Sequence, residues 1–261
     1  FITGFVELDE DRIPEDNRRY FSFYVPDVVR VALGPSGSQD ATILSLAMRP
    51  GGNGSGSSPV EVTLFDRAGL AAMNPSKFDV VVLLGAQYAT PIFVQRLRTS
   101  IESGGSALIM PDADTESESF STILLPGLGF PVPAGKSGSL GNSGKFTTFG
   151  TIDFDHPLFR GVFENGNEKN KPQVESPHLY ATVRLRASET AQQVIGTSTG
   201  DAFLLDQKLG LGRVLALSVA PNLQWSDFPM KGLFVPLINR SMYYLAARDD
   251  YWFDGIIGNA F

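Results

Sequence analysis

Short apolar segments alternate with helical segments over the first 111 residues, and this alternation limits the fold more than any other feature of the chain. The segment 79–85, DVVVLLG, is a continuous apolar run between an aspartate and a glycine. Such a run is typical of a parallel strand that helices cover on both faces. Strands that alternate with helices form a parallel sheet with right-handed crossovers. We therefore predict strands at 27–34, 61–66, 79–85 and 106–111, and helices at 38–48 and 90–103.

The ends of both helices are marked in the sequence. Ser38 precedes the first helix and Thr90 the second, and both residue types are favoured N-caps. The pair Gly104-Gly105 is expected to end the second helix. The apolar residues of the second helix recur every four positions, which predicts one buried face made of Phe93, Leu97 and Ile101.

The second half of the chain has a different pattern. Residues 130–205 contain loops and short strands, which we interpret as a β-rich insertion. A core strand at 211–220 and a closing helix at 232–248 follow, with Leu233, Leu237, Met242 and Leu245 as core positions. We expect 1–27 to be the end of a preceding β segment or an added edge strand, and 249–261 to lead into a following segment. The predicted fold of 28–248 is thus α/β and three-layered, with a mostly parallel sheet of the flavodoxin or Rossmann type.

Charge and composition exclude several classes of function. The net charge is −7 and the pI is about 4.9, which argues against nucleic-acid phosphates or an anionic membrane surface as the main partner. The chain has no cysteine, so disulfides, thiolate metal sites and thiol nucleophiles are all absent. No apolar run approaches the roughly 20 residues that span a bilayer.

An acidic segment follows the fourth predicted strand. Asp112 and Asp114 lie in the sequence PDADTESES at the carboxyl end of that strand, where open α/β sheets place their sites. Their oxygens could bind a divalent cation such as Mg²⁺ or Ca²⁺. Alternatively, the carboxylates simply favour the dipole of a helix that begins at Thr115, where Thr115 and Glu118 form a capping box.

The turn 34–39, GPSGSQ, joins the first strand to the first helix. Its amides could bind an anion at the helix N-terminus, but the Gly-Lys-Ser/Thr ending of a phosphate loop is missing. A tight connecting turn is the simpler interpretation.

The two histidines and the loop after the last strand hold the other candidates. His156 lies in DHPLFRGVF, either in a catalytic pair with Asp155 or in a structural turn with Leu158, Phe159 and Phe163 packed inward. We expect the loop after the last strand to lie near the same end of the sheet as Asp112, with Asn222, Gln224, Trp225 and Asp227. They form either a pocket wall or a packed loop, with Trp225 beneath it and Asp227 capping the closing helix.

The order of these elements resembles the class I glutamine amidotransferase-like fold, including its ThuA-like branch. DVVVLLG resembles the strand before the first amidotransferase loop. IESGGSALIMPDAD resembles the helix, strand and turn that carry the nucleophile in active members, and DHPLFRGVF resembles a motif of ThuA-like proteins. The resemblance covers roughly residues 28–248. It implies a pocket at the carboxyl edge of the sheet, and we assign to it Gly85, Gln87, Asp112, Asp114, His156, Asn222 and Trp225.

The sequence departs from that family at the positions that matter for catalysis. The nucleophilic cysteine would fall near Asp112–Asp114 and its partner histidine near Ala220–Asn222, and neither is present. Amide transfer without attacker or base is not expected. The sequence therefore favours a non-catalytic domain that uses no cofactor. The alternative is a ThuA-like sugar-processing or metal-dependent enzyme that uses Asp112, Asp114 and His156 with a divalent cation.

The flanking sequences resemble a family of bacterial membrane proteins with an aerotolerance-regulator (BatA-type) domain. The segments are DEDRIPEDNRRYFSFYV upstream and WSDFPMKGLFVPLINRSMYYLA at the closing helix. This resemblance implies a soluble extramembrane region, with the periplasm as one expected location, that is anchored by segments outside this sequence. Its expected partners are another protein or neighbouring domains of the same chain.

Overall fold

The computed structural model describes residues 2–7, 17–23, 27–51, 59–112, 119–142, 144–160, 162 and 174–247. The chain divides into two compact units, one of Phe1–Asp27 with Ala247–Phe261 and the other of Val28–Ala246. In the smaller unit, strands β1 (Ile2–Glu7) and β2 (Arg18–Phe23) form an antiparallel pair in which Phe5 lies opposite Tyr20. All elements described below belong to the larger unit.

An eight-stranded mixed sheet with flanking helices forms the larger unit, which is therefore an α/β domain. The order of strands across the sheet is β4-β3-β5-β6-β12-β11-β10-β8. Its strands are β3 (Val29–Gly34), β4 (Val60–Leu64), β5 (Val80–Leu84), β6 (Ser106–Met110), β8 (Phe149–Ile152), β10 (Ala191–Thr197), β11 (Ala202–Leu209) and β12 (Gly212–Leu217). A separate antiparallel pair joins β7 (Lys136–Gly138) to β9 (Ala181–Val183).

The helices connect and cover the strands. They are α1 (Gln39–Met48), α2 (Arg67–Ala72), α3 (Pro91–Glu102), α4 (Leu125–Gly127) and α5 (Phe234–Ala246), with a π-helical turn at Phe120–Leu124 before α4. Helix α1 packs on α5, whereas α3 packs on α4 and the π-helical turn. Every residue of β5 and β6 is buried, as expected of inner strands that are covered on both faces.

The helix ends follow the sequence signals. The side chain of Ser38 accepts a hydrogen bond from the Ala41 amide, and that of Thr90 accepts one from the Phe93 amide, so both N-caps are confirmed. The predicted buried face of α3 and the four core positions of the closing helix are also confirmed by their burial. The capping box at Thr115 and Glu118 lies outside the described residues.

The central sheet is mixed, and strands of the predicted β-rich insertion extend its parallel part. Strands β4, β3, β5, β6 and β12 pair in parallel, while β11, β10 and β8 continue the same sheet in antiparallel pairs. The segment 130–205 supplies β8, β10 and the first half of β11 to the central sheet, while its strands β7 and β9 form the separate pair. Strand β11 is buried along almost its whole length because it lies inside the sheet and not at its edge.

The parallel strands end at a common edge of the sheet. Beside β3 the order in which successive strands join the sheet reverses. Strand β3 lies between β4 and β5, so the connection after β3 leads to one side and the strands that follow β4 lie on the other. Ligand sites of open α/β sheets lie at such points, beyond the carboxyl ends of the strands.

Candidate functional site

A cavity of about 730 Å³ opens at the carboxyl ends of the parallel strands. Residues from the turns after β3, β6 and β12 line it, together with the last residue of β5. We call it the carboxylate cavity; its polar lining comprises Ser36, Ser38, Gln39, Asp40, Arg67, Asp112, Asn222 and Gln224.

Asp112 lies directly against the backbone of the neighbouring strand end. Gly85 follows β5 with a φ of 64°, and a Cβ atom placed there would be 2.1 Å from Oδ2 of Asp112. The Gly85 amide donates to the carbonyl of Met110 over 2.9 Å, and the Tyr88 hydroxyl donates to the Gly85 carbonyl over 3.2 Å. Only glycine therefore leaves the Asp112 carboxylate in its place.

Asp40 and Asn222 join two sides of the cavity. The Asn222 amide nitrogen donates to Oδ2 of Asp40 over 2.8 Å. The Oδ1 atom of Asn222 accepts the backbone amides of Gln224 at 3.1 Å and Trp225 at 3.3 Å. Asn222 thus fixes the loop after β12 and links it to the first turn of α1.

The electrostatics of the cavity reflect two neighbouring carboxylates. Burial raises the pKa of Asp40 above its usual value, the hydrogen bond from Asn222 opposes the shift, and the charge of Asp112 adds to it. Burial, followed by the charge of Asp112, raises the pKa of Tyr88 well above its usual value. Asp112 therefore acts on groups at the ends of both β3 and β5.

Apolar side chains form the rim of the carboxylate cavity. Leu223 and Met230 line it with 55% and 74% of their surface exposed, next to Pro229. Large exposed apolar groups at a cavity mouth are typical of surfaces that contact a ligand or another protein.

The structure brings together only part of the predicted pocket. Asp112 and Asn222 line the carboxylate cavity, and Gly85 contacts Asp112. Gln87 is exposed in the turn after β5 and is not part of the lining. Asp114 lies outside the described residues.

Trp225 packs beneath its loop and does not form a pocket wall. It is fully buried, and Nζ of Lys136 lies 5.1 Å from the centre of a Trp225 ring. Asp227 does not cap the closing helix, because α5 begins seven positions later at Phe234; its Oδ1 accepts the His178 amide over 2.7 Å.

His156 lies in a second cavity and not with Asp112. Its Nδ1 accepts the Leu158 amide over 3.3 Å, and Leu158 and Phe159 are buried, which confirms the structural turn. Phe163 lies outside the described residues. Its Nε2 lies 3.2 Å from Oδ2 of Asp206 on β11. Asp206 lies opposite Leu215 of β12, and Leu215 lies opposite Leu108 of β6. Leu108 precedes Asp112 by four positions along the chain.

The levels of Asp206 and Asp112 along the strands therefore differ by four residues, which at about 3.3 Å per residue corresponds to about 13 Å. A single site made of Asp112 and His156 is therefore not formed.

Several lining residues of the carboxylate cavity, among them Asp40, Ser36 and Arg67, were not assigned to the pocket from the sequence. Asp40 follows the Ser38 cap, Ser36 lies in the turn 34–39, and Arg67 begins α2. The available signal was the turn itself, since residues after the first strand of an open α/β sheet lie at its carboxyl edge.

The carboxylate cavity offers hydrogen-bond donors and acceptors to a polar ligand. Carboxylates and an amide offer acceptors and donors, while neither histidine lines the cavity and the chain has no cysteine. Within the described residues, no group of three or more histidine, aspartate or glutamate side chains could hold a metal ion. None of the described helices is both long enough and apolar enough to cross a bilayer.

No protein-family model and no curated protein sequence matches the chain. Among solved structures, it is similar to Cytoplasmic Protein STM3548 from Salmonella typhimurium, with 14% identity and a TM-score of 0.57 over 85% of this chain and 100% of that chain. Cytoplasmic Protein STM1381 from Salmonella typhimurium LT2 has 12% identity and a TM-score of 0.60 over 84% of this chain and 98% of that chain.

A β-galactosidase from Bacillus circulans sp. alkalophilus is also similar, with 14% identity and a TM-score of 0.52. That likeness covers 82% of this chain and 31% of the enzyme, so this chain corresponds to less than a third of it. At these identities the likenesses establish the fold alone, an α/β domain with a mixed sheet.

Proposed function

We propose that this chain is a non-catalytic, amidotransferase-like domain with a binding or assembly role. The observation that carries the proposal is the composition of the carboxylate cavity. Asp40, Asp112 and Asn222 line it at the edge of the sheet where open α/β folds bind ligands, without a thiol or an imidazole. Acyl or amide transfer needs a nucleophile and a base within hydrogen-bond reach. Binding of a polar ligand needs only the donors and acceptors that are present.

The finer fold assignment belongs to the same proposal. We infer that the domain is of the flavodoxin or Rossmann-like, amidotransferase-like type. The parallel order β4-β3-β5-β6-β12 supports this inference, since β3 lies between β4 and β5 as in doubly wound sheets. The position of Asp112 two residues after β6 also supports it, because the resemblance puts the family's nucleophile near Asp112–Asp114.

The exposed rim supports a macromolecular partner for the cavity. Leu223 and Met230 border the polar interior, so a partner could cover the apolar rim while a polar group enters the cavity. The proposed partner is another protein or a neighbouring domain of the same chain. Membrane anchoring through segments outside this sequence is part of the proposal through the BatA-type resemblance, and fractionation of the full-length gene product tests it.

A thermal-shift screen tests the binding role. Wild-type protein and the variant Asp112→Ala are heated with polar small molecules, including sugars, amino acids and divalent ions. A ligand at about 100 times its Kd should raise the Tm by about 5 °C or more. The shift should be lost in Asp112→Ala and kept in Asp155→Ala, which changes an exposed carboxylate of the other cavity.

Activity assays distinguish the proposal from the enzymatic alternative. Release of ammonia from glutamine, or hydrolysis of glycosides, should be at background with every hit of the screen. Turnover by the wild type that disappears in Asp112→Ala would contradict the non-catalytic role. A shift caused by a divalent ion alone and abolished by Asp112→Ala would favour a metal-dependent site instead.

A further inference from the structure

The two edge strands of the central sheet differ in how easily a further strand could join them. These edges are β4 and β8. The pairing of β8 with β10 shifts register between Ile195 and Thr197, and such an irregularity hinders the addition of another strand. Strand β4 pairs with β3 in one unbroken register, and its sequence VEVTL contains neither proline nor lysine. Of the two edges, β4 is therefore the one suited to accept a strand.

The backbone groups of Val62 and Leu64 point away from the sheet. The Pro59 carbonyl accepts a hydrogen bond from β3 over 2.6 Å, and the Phe65 amide donates one to β3 over 2.9 Å, so the odd-numbered residues of this segment bond to β3. Because the direction of these groups alternates along a strand, the N–H and C=O groups of Val62 and Leu64 face outward. In the part of the chain that the structure describes, no group bonds to them.

The side chains beside these outward groups are uncharged. Leu64 is 52% exposed, and Val62 lies partly buried on the same face of the strand. Thr63 is exposed on the other face. A strand that covers Leu64 would remove apolar surface from water as well as bonding to the backbone.

The edge of β4 is complementary to itself. If a two-fold axis passes at Thr63, Val62 of one copy lies opposite Leu64 of the other, and the two residues exchange both of their backbone hydrogen bonds. The two Thr63 side chains then face each other at a non-hydrogen-bonded position, where threonine pairs are favourable. Glu61 lies opposite Phe65, so the glutamates of the two copies do not meet.

We propose that a second copy of this chain binds at β4 and pairs with it in antiparallel orientation about Thr63. The two eight-stranded sheets then form one continuous sheet. A second copy is the occupant because the same short segment supplies both halves of the contact in one register. None of Val62, Thr63 and Leu64 lines the carboxylate cavity, so this inference goes beyond the proposed function and does not depend on it.

Sedimentation velocity of the full 261-residue chain tests the association in about 0.15 M salt, where the net charge of −7 is screened. We expect a species of twice 28.2 kDa, with a dimer Kd of about 100 µM or lower because the contact is small. Val62→Pro removes an outward amide while the bonds to β3 remain, and it should weaken the dimer at least tenfold. Ile92→Lys changes a side chain of α3 that is 74% exposed, and it should leave the Kd unchanged.

Cross-linking through an introduced cysteine tests the register, because the chain has no cysteine of its own. Two residues that face each other at a non-hydrogen-bonded position have Cα atoms about 4.5 Å apart, a separation that a disulfide can span. With oxidised glutathione, Thr63→Cys should therefore form a covalent dimer at least ten times faster than Glu61→Cys. In the proposed register the two copies of residue 61 lie about four residues apart, or about 13 Å.

A second edge variant keeps the test decisive if Val62→Pro does not fold. Leu64→Lys changes a half-exposed side chain and places a charge against Val62 of the other copy, so it should weaken the dimer at least tenfold. Three results would overturn the proposal: a monomeric wild type at about 0.5 mM, a Kd that neither edge variant changes, or equal cross-linking rates for the two cysteine variants.

Discussion

Substitution of Gly85 by alanine should destabilise the protein through Asp112. Alanine at a φ of 64° carries a left-handed backbone penalty of about 1 kcal/mol. Its Cβ would also lie 2.1 Å from Oδ2 of Asp112, well inside van der Waals contact, so the carboxylate must move. Overpacking of this kind adds about 1–3 kcal/mol, which gives a total of about 2–4 kcal/mol.

Gly200 provides a matched control for the backbone penalty. It has a φ of 91°, and a Cβ added there meets no atom within 4 Å, so Gly200→Ala should cost only about 1 kcal/mol. Urea unfolding followed by the fluorescence of the buried Trp225 measures both variants. In the Asp112→Ala background the excess cost of Gly85→Ala should disappear, as a double-mutant cycle would reveal. The reasoning is refuted if both glycine variants cost the same, or if the excess survives without Asp112.

Three further substitutions test the electrostatics and the caps. Because the folded-state pKa of Asp40 is raised, ionisation of Asp40 costs stability as the pH rises above about 4. Between about pH 4 and pH 7, Asp40→Asn should therefore gain stability relative to wild type, by less than about 1 kcal/mol because the group is partly exposed. If urea unfolding gives the same difference between variant and wild type at both pH values, this reasoning is contradicted. Tyr244→Phe removes a hydroxyl that donates to Asp206 and should cost about 1.5–3 kcal/mol by the same measurement, whereas Tyr243→Phe should cost clearly less. Thr90→Ala removes the N-cap of α3 and should lower the free energy of unfolding by about 1 kcal/mol; Thr90→Ser should restore most of it, and equal losses for both would argue against the cap.

Local signals explain why the parallel half of the sheet could be predicted. Strands β5 and β6 are continuous apolar runs, and α1 and α3 begin at Ser38 and Thr90. Each of these signals involves residues that are close in the sequence, so it can be recognised without knowing the fold. The same holds for the turn at His156, whose ring accepts an amide two residues later.

Pairing between distant segments explains what could not be predicted. The hairpin between β11 and β12 has a local signal in Gly210-Leu211, but nothing local specifies that β12 pairs with β6, whose residue Ser106 lies 107 positions before Arg213. Asp206 occurs within an apolar strand, and its burial depends on hydrogen bonds from Arg213 of β12 and Tyr244 of α5 and on the nearby His156 ring. Asp40 was not predicted as a site residue, because its contact with Asn222 spans 182 positions.

The position of β12 has a consequence for how the chain reaches its native state. This strand pairs with β6 on one side and β11 on the other, and its partner Ser106 lies 107 positions earlier. Until Gly212–Leu217 is in place, two strand edges that later become internal stay open, and open edges invite pairing with other chains. A chain truncated before residue 212 should therefore aggregate. Refolding of the full chain should be slow, because β12 must pair with β6 across a long stretch of sequence.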